Sequence, residues 1–248
     1  RPGDSGRRRR QLARALRRAR NQRIGHARRK WLRACSALRS TSLDGGPVLL
    51  DRGEKLDPEL SALLRKPESA TCIKRGSRIH VYTTANRVIK EYRDRSLRAR
   101  LKQRLGLDSA RRSWVMGWTF SMLGVPTPRP LAWWRCPDGR AVLIYPRLEG
   151  PRLSELMEQH PERADTLEPT VHAWLDRMGE AGCWHGDTKA QNVLVCGERP
   201  WLIDLDRCRL RRPGEWKKAN LNRIESSIHK FDPSVSVTPL LQGYRTTA

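Results

Sequence analysis

The chain has 248 residues, of which 38% are hydrophobic and 31% are charged. This length suits one large domain or a two-lobed domain with an extension, and nine Trp argue against general disorder. The formal net charge of +24 favours an anionic partner such as nucleic acid, anionic lipid or a phosphorylated glycolipid. No apolar run approaches the roughly 20 residues that cross a bilayer, so we expect a soluble or peripheral protein.

The six Cys are scattered along the chain, without a CxxC pair or a His at zinc-ligand spacing. This pattern predicts neither a zinc site nor disulfides. A reducing cytoplasm is the simplest expected location.

Residues 1–40 carry a large share of the positive charge, with fifteen Lys or Arg against a single acid. Segment 7–39 is rich in Arg, Ala and Leu, which predicts a helix. The apolar residues that fall near one face of this helix are Leu12, Leu16, Ala19 and Ile24. Two interpretations stay open, a solvated basic extension and a helix on an anionic membrane surface. Nucleic-acid binding is unlikely because Trp31 is the only aromatic residue in the segment.

Segment 42–53 is rich in turn-forming residues, namely Asp44, Gly45, Gly46 and Pro47. We therefore predict a basic, helical or flexible extension at 1–47 and a body that starts at residue 48. From residue 71, three short β-favouring runs separated by turns predict an antiparallel meander.

Residues 107–124 place apolar side chains at helical spacing, which predicts an amphipathic helix with Asp108 or Ser109 as its N-cap. An Asp-Gly pair at 138–139 lies between two apolar runs and predicts a β-hairpin. The first lobe, residues 48–149, is expected to contain about five strands and one helix.

Residues 150–248 form the second predicted lobe, which is mainly helical. Helical patterns occupy segments 153–159, 167–182 and 215–230. Two short apolar strands are predicted at 193–195 and 200–206.

The most informative text is WHGDTKAQNVLV, followed by WLIDLDR, within residues 184–207. Phosphoryl transfer needs a carboxylate that accepts the proton of the acceptor hydroxyl, a cation on the transferred group and oxygen ligands for Mg²⁺. The residues that supply these groups are Asp187, Lys189, Asn192 and Asp204. Asn192 follows Asp187 by five positions, as in the kinase catalytic loop. This spacing predicts a phosphotransferase site.

Two further residues of this text have less specific roles. His185 could act as an acid or base, but bracing of the loop through a hydrogen bond is favoured. Asp206 could assist the metal or bond to a neighbouring Arg, and we do not expect it to be a primary ligand.

Two residues of the meander are candidates for nucleotide binding. Lys90 lies on the third strand, from which a Lys can reach the α- and β-phosphates of a nucleotide. Its neighbours Val88 and Ile89 are both apolar, so periodicity does not decide whether Lys90 faces the site or the solvent. Gly76 could let the backbone approach a phosphate, although one Gly between strands usually forms a turn.

These residues resemble the lipopolysaccharide kinase family, the Kdo/WaaP group with its InaA-like members, which is similar to protein kinases. The resemblance spans about residues 70–230 and rests on RVIKEY, SARRSW with GVPTPRPLA, HGDTKAQNVLV and WLIDLDR. It implies an α+β, bilobal protein-kinase-like fold, with a small antiparallel β-sheet N-lobe containing one helix and a mainly helical C-lobe. It further implies transfer of the γ-phosphoryl of ATP, with Mg²⁺, to a heptose or Kdo hydroxyl of the lipopolysaccharide inner core. The expected location is the cytoplasmic side, peripheral at the inner face of the inner membrane.

The resemblance also implies roles for single residues. Asp187 would be the catalytic base, Lys189 would neutralise charge on the transferred group, and Lys90 would clamp phosphates. Asn192 and Asp204 would be metal ligands.

One departure from the kinase pattern concerns the partner of Lys90. Kinases pair this strand Lys with a Glu on the following helix, yet Ser113 stands where that Glu is expected. Asp108 is the only acid in residues 96–123, so either Asp108 reaches Lys90 or the pair is absent.

Two alternatives stay open beside the lipopolysaccharide acceptor. The chain could phosphorylate a protein or small-molecule hydroxyl, because a fold does not fix its substrate. It could also be a non-catalytic, kinase-like basic binding protein.

Overall fold

The computed structural model describes residues 3–94 and 96–210. Its helices are α1 (Gly3–Lys30), α2 (Pro58–Arg65), α3 (Leu97–Arg104), α4 (Ser109–Met122), α5 (Leu153–Gln159) and α6 (Ala164–Ala181). Its strands are β1 (Leu38–Leu43), β2 (Gly46–Asp51), β3 (Thr71–Arg75), β4 (Ile79–Thr83), β5 (Arg87–Tyr92), β6 (Ala132–Arg135), β7 (Ala141–Pro146), β8 (Cys183–Trp184), β9 (Val193–Cys196), β10 (Arg199–Leu202) and β11 (Arg209–Leu210). The helix predicted at 215–230 lies outside the described residues.

The first lobe is built on a seven-stranded antiparallel sheet with the strand order β1-β2-β6-β7-β5-β4-β3. The predicted meander, β3 to β5, and the predicted Asp-Gly hairpin, β6 to β7, are both confirmed. The α+β, two-lobed architecture is confirmed as well.

The hairpin of β1 and β2 was not predicted as part of the sheet. β2 pairs with β6, so the boundary placed after residue 47 falls inside β2 and the sheet starts at Leu38. The hairpin was missed because the four central residues of β1 are exposed on an edge strand and carry no apolar alternation.

The two faces of the sheet pack against different partners. Val88 and Tyr92 of β5 pack on the core that contains α4 and the second lobe, whereas Ile89 belongs to the core under α2. Because side chains alternate along a strand, Lys90 lies on the same face as Val88 and Tyr92. This answers the question that the sequence left open.

Helix α4 lies between the sheet and the second lobe. Asp108 caps its start, because its Oδ1 accepts a hydrogen bond from the backbone N–H of Arg111 at 2.8 Å. Trp114 and Phe120 are fully buried, and Gly117 lets Pro130 approach closely, since a Cβ there would lie 2.6 Å from the proline ring. The lobe also contains α2 and α3, where one helix was predicted.

The N-terminal segment packs on the rest of the molecule through its C-terminal half. The helix ends at Lys30, earlier than the predicted residue 39, and Trp31 accepts a hydrogen bond from the indole of Trp114 at 2.6 Å. Ile24 is buried, whereas Leu12 and Leu16 are each 61% exposed. Of the predicted apolar stripe, Ile24 is therefore buried against the protein, whereas Leu12 and Leu16 are exposed to solvent.

The second lobe places a loop and two antiparallel strand pairs after helices α5 and α6. Helix α6 ends at Gly182, whose left-handed φ of 67° suits a glycine C-cap. Strand β9 pairs with β10, and β11 pairs with β8. The segment after β10 therefore returns to lie beside the start of the loop between β8 and β9. Among the helices of residues 3–94 and 96–210, none is long and apolar enough to cross a bilayer.

Replacement of Asp108 tests its role as the cap of α4. We expect Asp108→Ala to lower the free energy of unfolding by about 1 kcal/mol, because one backbone N–H loses its acceptor. Asp108→Asn keeps an accepting oxygen and should retain most of that stability. Urea unfolding of the three proteins measures the difference, and equal losses in both variants would contradict the capping role.

Candidate functional site

The loop between β8 and β9 brings three of the predicted site residues together. The side-chain amide of Asn192 donates to the carbonyl of Asp187 at 2.8 Å. Lys189 Nζ lies 3.3 Å from Asp187 Oδ1, and the backbone N–H of Lys189 donates to the same Asp187 carbonyl at 2.9 Å. Asp187 is partly exposed and Lys189 is exposed, so both can meet a ligand.

Asp204 is held against this loop through its neighbour Ile203. The N–H of Ile203 donates to the carbonyl of Asn192 at 2.9 Å, and the carbonyl of Ile203 accepts from His185 Nε2 at 2.9 Å. Asp204 itself has φ 62° and ψ 65°, a left-handed conformation that is uncommon outside glycine. Such conformations persist where the surroundings enforce them, and they cluster at functional sites.

His185 acts as the brace that the sequence favoured. The ring is fully buried, and burial lowers the pKa of His185, which keeps it neutral near neutral pH. Its hydrogen bond to Ile203 ties the start of the loop between β8 and β9 to the backbone that carries Asp204. A neutral, buried ring at this place favours a role in positioning the loop over a role in proton transfer.

Lys90 reaches this group from the sheet lobe. Its Nζ lies 2.6 Å from Asp204 Oδ1 and 2.8 Å from Asp206 Oδ2. Burial alone would lower the pKa of Lys90, but the carboxylates of Asp206 and Asp204 raise it. Burial would likewise raise the pKa of Asp204, and the Lys90 ammonium holds it below its ordinary value. Lys90 and Asp204 are therefore both charged, and the contacts of Lys90 with Asp204 and Asp206 join the two lobes.

Asp206 supplies the partner of Lys90 that the sequence did not reveal. Its Oδ1 accepts hydrogen bonds from Ser113 Oγ at 2.5 Å and from the Tyr92 hydroxyl at 2.6 Å. Burial raises the pKa of Tyr92 well above its ordinary value, so its hydroxyl stays a donor. The helix position that holds a Glu in kinases thus holds a Ser that orients a carboxylate from another segment. Asp108, the other candidate, is used in the cap of α4.

Gly76 lies in the turn between β3 and β4. Its N–H donates to the carbonyl of Ile79 at 2.9 Å, so this donor serves the turn. Within the described residues no contact joins Gly76 to the group around Asp187, and its role in phosphate binding stays a prediction.

Lys74 is a site residue that sequence reasoning missed. Its backbone pairs with Val81, which pairs with Lys90, so all three residues point to one face of the sheet. The positive charge of Lys74 also contributes to the lowered pKa of Asp204. The register of the meander accounts for this placement, because Lys74 on β3 and Lys90 on β5 both pair with Val81 of the strand between them.

The arrangement fits a magnesium ion bound together with phosphates. Asn192 and Asp204 offer oxygen ligands, and Mg²⁺ usually takes one or two carboxylates and completes its shell with substrate phosphates and water. Because the amide nitrogen of Asn192 is used on Asp187, its oxygen is the atom left for a cation. In the described part of the chain, no cluster of three or more His, Cys, Asp or Glu forms a protein-only metal cage.

The comparisons with known proteins identify the family of the chain. The lipopolysaccharide kinase (Kdo/WaaP) family model matches residues 70–244. A 3-deoxy-D-manno-octulosonic acid kinase of Vibrio parahaemolyticus is 31% identical over 112 residues, which cover 43% of this chain and 47% of the relative. A protein of the same name from Photobacterium profundum is 30% identical over 122 residues, covering 45% and 49% of the two chains. The chain thus spans about half the length of the curated relatives it matches.

One solved structure that resembles the chain is the crystal structure of WbdD. The TM-score is 0.49 at 14% sequence identity, and the match covers 70% of this chain and 44% of that one. The seven-stranded antiparallel sheet and the helices of the second lobe bear out the expected α+β architecture.

Replacement of Asp206 tests its hold on Lys90. In Asp206→Asn the ammonium loses one of its two carboxylates, so we expect the pKa of Lys90 to fall. At pH 9, modification of Lys90 by an amine-reactive reagent should become at least about threefold faster, since a larger fraction is deprotonated. Peptide mass spectrometry measures this rate at Lys90 and at Lys55 in the same sample.

Ser113→Ala is the matched control, because it removes one donor to Asp206 but keeps the carboxylate. Its effect on Lys90 should be smaller than that of Asp206→Asn. An unchanged reactivity of Lys90 in Asp206→Asn, with Lys55 also unchanged, would contradict the assigned ion pair.

Proposed function

Because the chain belongs to the lipopolysaccharide kinase (Kdo/WaaP) family, we propose that it transfers the γ-phosphoryl of ATP to a sugar hydroxyl of the lipopolysaccharide inner core. The observation that carries this proposal is the meeting of Lys90 from the sheet lobe with Asp204 beside Asp187 and Asn192. The names of the relatives favour a Kdo hydroxyl as the acceptor, with a heptose hydroxyl as the alternative.

In this mechanism each residue has a distinct task. Asp187 accepts the proton of the attacking sugar hydroxyl, and Lys189, at 3.3 Å from it, neutralises charge on the transferred phosphoryl. Asn192 and Asp204 would hold Mg²⁺, which neutralises charge on the nucleotide phosphates when it is bound. Lys90 would orient the nucleotide phosphates. Its ion pair with Asp206 would hold it in place where Asp204 serves as a ligand of Mg²⁺.

Two other functions are less well supported by these contacts. A non-catalytic binding protein would not need the complete set of charged groups, nor the second carboxylate that fixes Lys90. A kinase for protein or small-molecule hydroxyls would use the same residues, so only an acceptor assay separates it from the proposed function.

We further propose that the protein acts on the cytoplasmic side, bound peripherally at the inner face of the inner membrane. Leu12 and Leu16 are exposed on an arginine-rich helix, a combination that favours anionic lipid surfaces. An acceptor held in a membrane would then be met at the surface where it lies.

Removal of the Asp187 carboxylate charge tests the catalytic role. We expect Asp187→Asn to lower the transfer rate at least about 100-fold, because the general base is lost, while the protein stays folded. The assay combines purified protein, labelled ATP and deacylated core oligosaccharide that ends in Kdo or in heptose, with casein in a parallel reaction. Asp165→Asn, at an exposed position in the first turn of α6, is the control.

Normal turnover by Asp187→Asn would refute the assigned mechanism. Label on casein alone, with neither oligosaccharide labelled, would refute the lipopolysaccharide acceptor.

Charge substitution on α1 tests the membrane contact. We expect Leu12→Asp with Leu16→Asp to reduce sedimentation with vesicles of phosphatidylglycerol and phosphatidylcholine by several-fold, because apolar area and net positive charge are both lost. Ile73→Asp introduces a charge at another apolar residue of similar exposure, 58%, and should bind as the unmodified protein does. Equal sedimentation of the unmodified protein, the double variant and Ile73→Asp would exclude this contact. So would sedimentation of the unmodified protein with pure phosphatidylcholine vesicles to the same extent as with the anionic vesicles.

A further inference from the structure

A second concave site lies beside the segment that follows Asp206. It is a cleft of about 570 Å³ between α1, the start of α4 and the segment that contains β11. Clefts of a few hundred Å³ are the usual size of small-ligand sites. Five arginines line it, namely Arg28, Arg29, Arg111, Arg112 and Arg209.

The charge of this cleft is almost entirely positive. Asp108 is the only carboxylate among the described residues that line it, and its oxygen is used in the cap of α4. None of the five arginines forms an ion pair with a carboxylate in the described part of the chain. Burial and the nearby charge of Arg111 both lower the pKa of Arg28, so these two cations repel each other. An anion that entered the cleft would relieve this repulsion.

Two of the guanidinium groups are already held in place. Arg111 donates to the carbonyl of Gly106 at 2.6 Å, and Arg112 donates to the carbonyl of Asp206 at 2.9 Å. A guanidinium carries five N–H donors, so each of them keeps donors for a ligand. Fixed arginines suit phosphate and carboxylate groups, because their forked geometry matches two oxygens.

The cleft is joined to the catalytic loop by short connections. Arg209 lies on β11, which pairs with Trp184 immediately before the loop that carries Asp187. A Cβ on Gly186 would lie 2.9 Å from the carbonyl of Arg207, so the two segments touch. The cleft and the loop that carries Asp187 are thus built on adjoining backbone segments.

The sequence that follows the cleft residue Leu210 carries more positive than negative charge. Residues 211–248 contain seven Lys or Arg against three acids, so this segment is itself basic. Leu32, Val115 and Met116 add an apolar wall to the cleft. Guanidinium groups beside an apolar wall match an amphiphilic anion.

We propose that this arginine cleft binds a phosphate or carboxylate group of the acceptor glycolipid, at a distance from the hydroxyl that is phosphorylated. The inference rests on the proposed function for the identity of the acceptor, but the anion-binding property stands on the cleft alone. The site would select acceptors that carry a second anionic group and would place their sugar at the catalytic loop.

The test uses a double variant of the cleft, Arg28→Gln with Arg29→Gln, which we call the cleft pair. It is compared with a control pair that removes the same amount of charge. Arg177→Gln with Arg199→Gln is that control, because both arginines are exposed and lie outside the cleft. Calorimetric titration without ATP measures the Kd for deacylated core oligosaccharide, before and after its phosphates are removed with phosphatase. We expect the cleft pair to weaken binding of the phosphorylated form about tenfold or more, while the control pair changes it less than about twofold.

The two sources of an anion are separated by inorganic phosphate and by phosphatidylglycerol vesicles. Each is added as a competitor at a phosphate concentration equal to that of the phosphate groups on the oligosaccharide. The proposal requires the oligosaccharide to bind more tightly than either competitor. Equal binding of inorganic phosphate, or loss of affinity only for vesicles, would overturn the assignment to the acceptor.

The outcomes for this cleft and for the proposed function are distinguishable. Loss of oligosaccharide binding in the cleft pair, without any transfer of label by the unmodified protein, would support the cleft and refute the kinase proposal. If the cleft pair transfers label with an unchanged KM for the phosphorylated oligosaccharide, the proposed role of the cleft is overturned. An unchanged KM for ATP in the cleft pair shows that the fold and the nucleotide site are intact.

Discussion

The structure depends on one buried cation, the ammonium group of Lys90, and on the two carboxylates that balance it. Lys90 is only 12% exposed, and a charge in such a place is costly unless it is paired and hydrogen-bonded. Asp204 and Asp206 meet this need from the opposite lobe at 2.6 and 2.8 Å. The left-handed backbone of Asp204, the buried brace of His185 and the hydroxyl of Tyr92 all serve to keep these carboxylates in place.

The source of the second carboxylate changes how the site is controlled. In protein kinases the strand Lys is anchored by a Glu on the neighbouring helix, so movement of that helix can break the pair. Here the helix contributes the hydroxyl of Ser113, while the charge comes from Asp206, two residues beyond the proposed metal ligand Asp204. The anchor of Lys90 and the metal ligand therefore lie on one short segment, and a displacement of that segment would move both together.

The sequence predicted the parts of the site that are close together in the chain. Asp187, Lys189 and Asn192 share one loop, so their spacing alone indicated that they could converge. The face of Lys90 and the pairing of Asp206 with Ser113 depend on strand register and on packing between lobes, and neither is readable from local spacing. The β1–β2 hairpin was missed for a similar reason, because its polar edge strand gains its place from pairing rather than from an apolar pattern.

The excess of positive charge is divided between two surfaces with different chemistry. On α1 the arginines accompany exposed leucines, which suits a broad and weakly structured surface such as lipid. In the arginine cleft the guanidinium groups line a concave wall, and Arg112 is fixed to the backbone of Asp206, which favours a defined anionic group over a diffuse one. Because Asp206 also anchors Lys90, the carbonyl that holds Arg112 and the carboxylate that holds Lys90 belong to the same residue. Under the proposed function, the two substrates of the transfer reaction would be positioned from one point of the fold, where α4, β5 and the segment after β10 meet.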